Sequence, residues 1–328
     1  MCLSILVGGE LVRLPRYAEL FSNEIKVDNL LLGNGFSRNF SENFSYGNLM
    51  DKCEGLKWNE EQLFEKLQTS NFEEVLKIIH NTKMVNEVYG IRYDEYDYAY
   101  ENIKKSLINA VKKVHIEPSD MEGLNIRVGS KNLLGKTNRD IFTTNYDLIL
   151  YWLLNEANNN HRRLGDMFRK DRGYLYFDEH NNRKFQSNLF YLHGALHLYV
   201  EDGITKKISS REQNKDLREI ITQRIDHGQI PLFISEGSGS EKYEAIMQNE
   251  YLKQGYNTLR EASGELTIVG HRLNEDSDQH IIDAINDSKI EKIYYGVHGE
   301  RVPHDIEENL TKKVEYFNSE NFLLDFAE

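Results

Sequence analysis

Residues 29–40 read NLLLGNGFSRNF, an apolar run that stops at Gly33-Asn34-Gly35 and resumes as a polar stretch. Unbroken leucines, with no alternation of polar and apolar positions, are how a strand buried on both faces of a parallel sheet reads. Two glycines one residue apart at its end mean that something comes close to the backbone there, or simply that the chain turns tightly.

The same pattern recurs downstream, in RDIFTTN (139–145), NLFYLHG (188–194), PLFISEG (231–237), ELTIVGH (265–271) and KIYYGVHG (292–299). Each is short, rich in branched or aromatic residues, and bounded by Gly, Asn or Ser. Parallel strands need crossovers, and helical patterns are available over Asp147–Ala157, Gln213–Asp226, Ser240–Leu259 and Asp278–Asp287. The fold expected is therefore α/β: a Rossmann-like, doubly wound, mostly parallel sheet in a single domain over residues 1–328. About a hundred residues separate the first two strands, far more than one crossover requires. Leu63, Leu67, Val75, Leu76 and Ile79, then Ile103, Leu107, Ala110, Val111 and Val114, fall at helical spacing, so a helical subdomain is expected as an insert over residues 51–116. Its tyrosines Tyr93, Tyr96, Tyr98 and Tyr100 suit either the wet edge of a helix pair or a binding surface.

Composition narrows the function classes. A chain of 328 residues with 39% hydrophobic and 28% charged residues has the makeup of a soluble globular protein. Its formal charge of -13, with no basic run to segregate, argues against direct binding of nucleic acid. Cys2 and Cys53 are too few for a disulfide framework or a four-thiolate zinc site, so no metal is expected and the setting expected is reducing and cytoplasmic. The opening MCLSILVGGELVRLPR has no basic residue ahead of its apolar stretch, and that stretch is far shorter than the ~20 residues that span a bilayer. Neither leader nor membrane anchor is expected from it.

In open parallel sheets ligands bind outside the carboxyl ends of the strands. The residues that follow the apolar runs are Gly33, Asn34, Gly35, Phe36 and Ser37; Thr143, Thr144, Asn145, Tyr146 and Asp147; His193 and Gly194; Ser235, Glu236 and Gly237; and Gly270, His271 and Arg272. A strand, a Gly-x-Gly and a helix start let backbone amides approach a pyrophosphate, with the helix dipole favouring the anion, although a tight turn explains the same residues. In TTNYD, Asp147 can cap the helix that begins near Leu148, while Asn145 is an amide able to orient water. His193, closing an apolar strand, is either a hydrogen-bonded structural residue or a general base facing that rim. Arg272 suits a phosphate or a surface ion pair.

The ordered set GNGFS, TTNYD, HG, FISEG and GHRL followed by DQH resembles the sirtuin-like NAD-consuming domains of bacteria, in particular the divergent branch found in phage defence. The resemblance spans about residues 30–296, and each motif is short, so the order carries it. It implies that Gly33, Gly35 and Ser37, with Asn34 and Phe36 in the same motif, hold the NAD pyrophosphate; that Asn145 positions the attacking water; that Asp147 contacts the nicotinamide side; and that His193 is the base. Gly270 and Leu273 match the motif that meets the adenosine ribose, with Arg272 where that family has serine, and His271, Thr144 and Glu236 line the same rim. The four-cysteine zinc module of the protein deacylases in that family cannot be built from two cysteines. The resemblance thus implies NAD hydrolysis to nicotinamide and ADP-ribose, with NAD as substrate and no other cofactor, in a homo-oligomeric effector of antiphage defence that works beside a co-encoded partner such as an ATPase. The other classes left open are an NAD or ADP-ribose sensor without turnover and an assembly scaffold.

Overall fold

The leucine run forms the centre of the sheet. In the computed structural model, β3 (Asn29–Leu32) is buried along its whole length, each leucine lying between layers of helix on both faces. Burying one such side chain contributes about 1.5–3 kcal/mol, so a strand of this composition belongs at the centre rather than the edge. The structure describes residues 4–7, 10–41, 44, 50–69, 72–91, 95–114, 125–158, 164–171, 174–180, 185, 187–208, 217–226, 229, 231–234, 238–299, 302 and 304–327.

A hairpin of β1 (Ser4–Val7) and β2 (Glu10–Arg13) precedes β3. The main sheet then takes β4 (Ile141–Thr143), β5 (Leu164–Gly165), β8 (Ser187–Tyr191), β11 (Ser263–Val269), β12 (Lys289–Val297) and β13 (Lys313–Asn318). Its order is β13-β12-β11-β3-β4-β8-β5, and every neighbouring pair is parallel. Leu32 ends level with Val269 on one side and Thr143 on the other, so the loops after β3, β4 and β11 leave the sheet at one height. From β3 the chain winds through β4 toward β8, then returns to the far side of β3 as β11, β12 and β13. The winding reverses between β3 and β11. That is the topological switch point, where an open α/β sheet leaves a crevice. A smaller antiparallel sheet, in the order β6-β7-β10-β9, is built from β6 (Phe168–Asp171), β7 (Tyr174–Phe177), β9 (Leu198–Glu201) and β10 (Ile204–Lys207).

Between β3 and β4 stand the helices Trp58–Leu67, Phe72–Val88, Glu95–Val114 and Asn125–Lys136. Phe64 meets Phe72 edge to face at 5.1 Å, and Val75, Leu76, Ile79, Ile103, Leu107 and Ala110 are buried as their spacing requires. Tyr96 accepts a hydrogen bond from Asn86 of the adjacent helix and Tyr98 lies exposed under Lys57, contacts of helix packing; Tyr93 lies outside the described residues.

Two expectations need correction. PLFISEG is not a strand of the sheet: Pro231–Ile234 instead crosses antiparallel over the turn that follows β8, with Ala195 N donating to Leu232 O and Ile234 N to His193 O. An apolar run in a lid over a turn reads like one in a strand, because both are buried. The helix expected over Ser240–Leu259 is two, Gly239–Met247 and Glu250–Glu261, since Asn249 caps the second by accepting from Leu252 N. The strand β13 went unread in the sequence, its KVEYFN alternating where the others run unbroken.

Candidate functional site

What sits against the two glycines is the chain itself. The loop after β11 presses onto the loop after β3: Gly33 N donates to Val269 O at 3.0 Å and Gly35 N to Gly270 O at 2.9 Å. A β-carbon on Gly33 would lie 2.5 Å from Gly270 O, and one on Gly35 would lie 2.7 Å from Gly270 Cα. Gly270 has φ +68, in the left-handed region, and its own β-carbon would stand 2.4 Å from Phe36 N. Three glycines thus let two backbones touch at the switch point. This corrects the expectation that the amides of Gly33 and Gly35 face a pyrophosphate, because both already have carbonyl partners. The helix that follows, Asn34–Arg38, is a single short turn.

Beside this junction, the end of β4 supplies a closed polar network. Asn145 Nδ2 donates to Gly33 O and to Ser37 Oγ, both at 2.9 Å, and Ser37 Oγ donates to Asp147 Oδ2 at 2.5 Å. Asp147 Oδ1 accepts from Ile149 N at 2.9 Å, so this carboxylate does cap the helix Ile149–Asn158. All three side chains are buried. Burial pushes the Asp147 carboxyl up, against the stabilising bonds from Ser37 and Ile149 N. These bonds leave Oδ1 of Asn145 as the network's acceptor for a ligand or water. Ser37 is spent inside the chain.

The end of β8 carries a second group. His193 is buried and its Nε2 lies 2.8 Å from Nε2 of His280, the rings tilted by 31°. His280 comes from the helix Glu275–Asp287, which Asn274 caps and whose apolar stripe of Ile281, Ile282, Ala284 and Ile285 drives that face into the core. Burial, Lys242, His280 and His271 hold His193 well below the usual imidazole range; burial and Lys242 hold His280 down to about 3. Both rings are therefore neutral at pH 7. Lys242, on the helix Gly239–Met247, is fully buried, and His271 is buried with Nδ1 accepting from Leu273 N at 3.0 Å. Gly194 makes the turn after His193 possible, with φ +79 and the Leu232 carbonyl 2.1 Å from where a β-carbon would be.

The remaining expected residues divide. Asn34 is half-buried and donates to Phe44 O; Thr144 is half-buried at the rim and its amide donates to Leu32 O. Arg272 is exposed beside His271. Phe36 is fully buried edge to face with Phe40, so it belongs to the core and offers a ligand no surface. Glu236 lies outside the described residues. The sequence reading quoted His280 only as the last residue of DQH, with no role assigned, and missed Lys242. A histidine inside an apolar helical stripe was the available signal for the first; nothing in the sequence marks the second. Among the described residues no three His, Cys, Asp or Glu side chains converge to hold a metal ion, and no helix is long and apolar enough to cross a membrane.

Residues 30–322 match the family described as a domain of unknown function, DUF4917, and the chain belongs to that family. No curated protein matches the sequence.

Proposed function

We propose that this member of the DUF4917 family hydrolyses NAD at the bond between nicotinamide and ribose, as the sirtuin-like NAD-consuming domains that its motifs resemble do. The observation that carries the reading is a buried amide just past the end of β4, Asn145, and a buried imidazole just past the end of β8, His193, on strands that are neighbours in the sheet. The β4 and β8 strands are neighbours in register, so their ends lie side by side.

Glycosidic cleavage of this kind passes through an oxocarbenium-like state, which needs an oriented water on one face of the ribose. Asn145, held by Gly33 and Ser37, presents Oδ1 to accept a hydrogen from that water and point its lone pair at the ribose carbon. The carbon–nitrogen bond breaks, its electrons neutralise the pyridinium of the leaving nicotinamide, and the water oxygen bonds to the ribose carbon and releases one proton. His193, with Nε2 engaged by His280, meets a ribose hydroxyl or that proton through Nδ1. The pyrophosphate is met by the exposed Arg272, beside His271, in place of the glycine amides, which are already bonded to carbonyls, so that binding energy from the inert half of NAD orients the reacting half. Asp147 acts behind these groups by fixing Ser37 and the following helix. In the cell the chain would act as a homo-oligomeric effector of antiphage defence, triggered through a co-encoded partner such as an ATPase; this part rests on the resemblance alone.

One observation favours a second reading. The closed network at Ser37 and the occupied amides of Gly33 and Gly35 suit a sensor that binds NAD or ADP-ribose without turning it over. Incubation of the purified protein with NAD and chromatography of the products separates the two: nicotinamide and ADP-ribose in equal amounts support the hydrolase, and intact NAD with a ligand-induced rise in melting temperature supports the sensor.

A further inference from the structure

The contact between Nε2 of His193 and Nε2 of His280, at 2.8 Å, needs one hydrogen between the two nitrogens, neither two nor none. Either ring can hold it, and the choice fixes where the other hydrogen of each neutral ring sits. If His193 donates, His280 must carry its own hydrogen on Nδ1, and that atom is buried with no hydrogen-bond partner among the described residues. An N–H would then be buried unmet. If His280 donates, its Nδ1 is a bare lone pair, and buried acceptors left unmet are tolerated better than buried N–H groups. We propose that His280 is a positioning residue that sets the tautomer of His193: in the ligand-free protein His280 carries its hydrogen on Nε2 and donates it, and His193 carries its own hydrogen on Nδ1.

The alternative of a second proton on either ring is opposed by the charges around the pair. Lys242 and His271 face both rings, and Asp278 is the one carboxylate among the described residues that offsets them at His280. Charging a ring in this buried setting is resisted by desolvation first and by Lys242 second.

The consequence deepens the proposed reaction, and that part rests on the hydrolase reading; the tautomer itself does not. In the resting pair the Nδ1 of His193 is a donor, suited to hold a ribose hydroxyl oxygen or a phosphate oxygen, and cannot accept a proton. The base form requires a balanced exchange: the hydrogen on His280 Nε2 passes to His193 Nε2, His193 gives up its Nδ1 hydrogen, and His280 takes one up on Nδ1. That last nitrogen then needs an acceptor, which a bound ligand or water beside His280 supplies. His280 therefore keeps the site idle until it is filled.

The test is two-bond proton–nitrogen correlation NMR on the full chain labelled with ¹⁵N-histidine, at pH 7 and without NAD. The expected spectrum has His193 protonated at Nδ1 and bare at Nε2, His280 the reverse, and neither ring doubly protonated. In His280→Phe, folded by its melting curve, His193 is expected to lose its preference for Nδ1–H, and in His280→Gln, whose amide can still donate, to keep it. Overturning results are Nε2–H on His193 in the parent, a doubly protonated ring at pH 7, or a tautomer of His193 unchanged by His280→Phe. The spectrum is read without turnover: the expected tautomers together with uncleaved NAD would sink the hydrolase and leave this inference standing.

Discussion

The two sides of the rim are built on opposite principles. On the β4 side, Asn145, Ser37, Asp147 and the Gly33 carbonyl bond one another in a closed chain, anchored by Ile149 N. On the β8 side, burial and the nearby Lys242 and His271 keep His193 and His280 neutral, and Nδ1 of His280 is left unmet. A saturated buried network fixes geometry and specifies one arrangement, whereas a partly satisfied one costs stability and is retained where a ligand completes it. The first side fixes geometry and leaves one acceptor, Asn145 Oδ1, for the water, and the second is where proton transfer is expected.

The largest effect expected follows from that division. His193→Ala should lower NAD turnover by roughly 10²- to 10⁴-fold, the usual contribution of a proton-transfer group, with the melting temperature little changed. Asn145→Ala should lose most activity too, and the double variant should cost little more than either alone, since residues serving one step are non-additive. Additive losses by product chromatography would mean that the two sides act independently.

Next is the junction that joins the sides. Gly270→Ala places a β-carbon 2.4 Å from Phe36 N at φ +68, and should cost about 3 kcal/mol or more by urea unfolding. A near-neutral result would mean that the contact between the loops is not tight. Asp147→Ala then removes the acceptor of Ser37 and Ile149 N and should cost about 1–3 kcal/mol of stability, with less effect on turnover than His193→Ala. The reverse ranking would move the chemistry to the β4 side.

The histidine side also predicts a pH dependence. His280 has a folded pKa of about 3, below the unfolded value of about 6.5, so the unfolded chain binds the extra proton. Its contribution is complete above pH ~6.5 and is lost as pH falls toward 3, about 2 kcal/mol by pH 5. Asp147, raised in the fold, works in the opposite sense near the carboxylate range. Melting temperature should fall from pH 7 to pH 5, and less steeply in His280→Gln; equal slopes would mean that His280 is not buried neutral. The smallest effect expected is that of a strong chelator, which should leave melting temperature and turnover unchanged; stoichiometric zinc in the pure protein would contradict it.

Much of this could be read from residue order. The unbroken apolar runs placed β3, β4, β8, β11 and β12, because a strand buried on both faces leaves no room for alternation. Asn145 and His193 were legible for the same reason: they end such runs, and strand ends in parallel sheets face the crevice. Gly33 and Gly35 were legible as a close approach, but what approaches is set by the return of the chain at β11, a long-range fact that local spacing does not hold. His280 and Lys242 arrive from helices far along the chain, and their burial beside His193 depends on how those helices dock.

The central claim is that the rim cleaves NAD through His193. The most direct test incubates concentrated pure protein with NAD for hours, beside His193→Ala and with melting curves for both, and resolves the products by chromatography. The account predicts nicotinamide and ADP-ribose in equal amounts from the parent protein, and nearly none from a folded His193→Ala. Intact NAD with no shift in the melting curve of the parent, or cleavage by His193→Ala at the parent's rate, would contradict it.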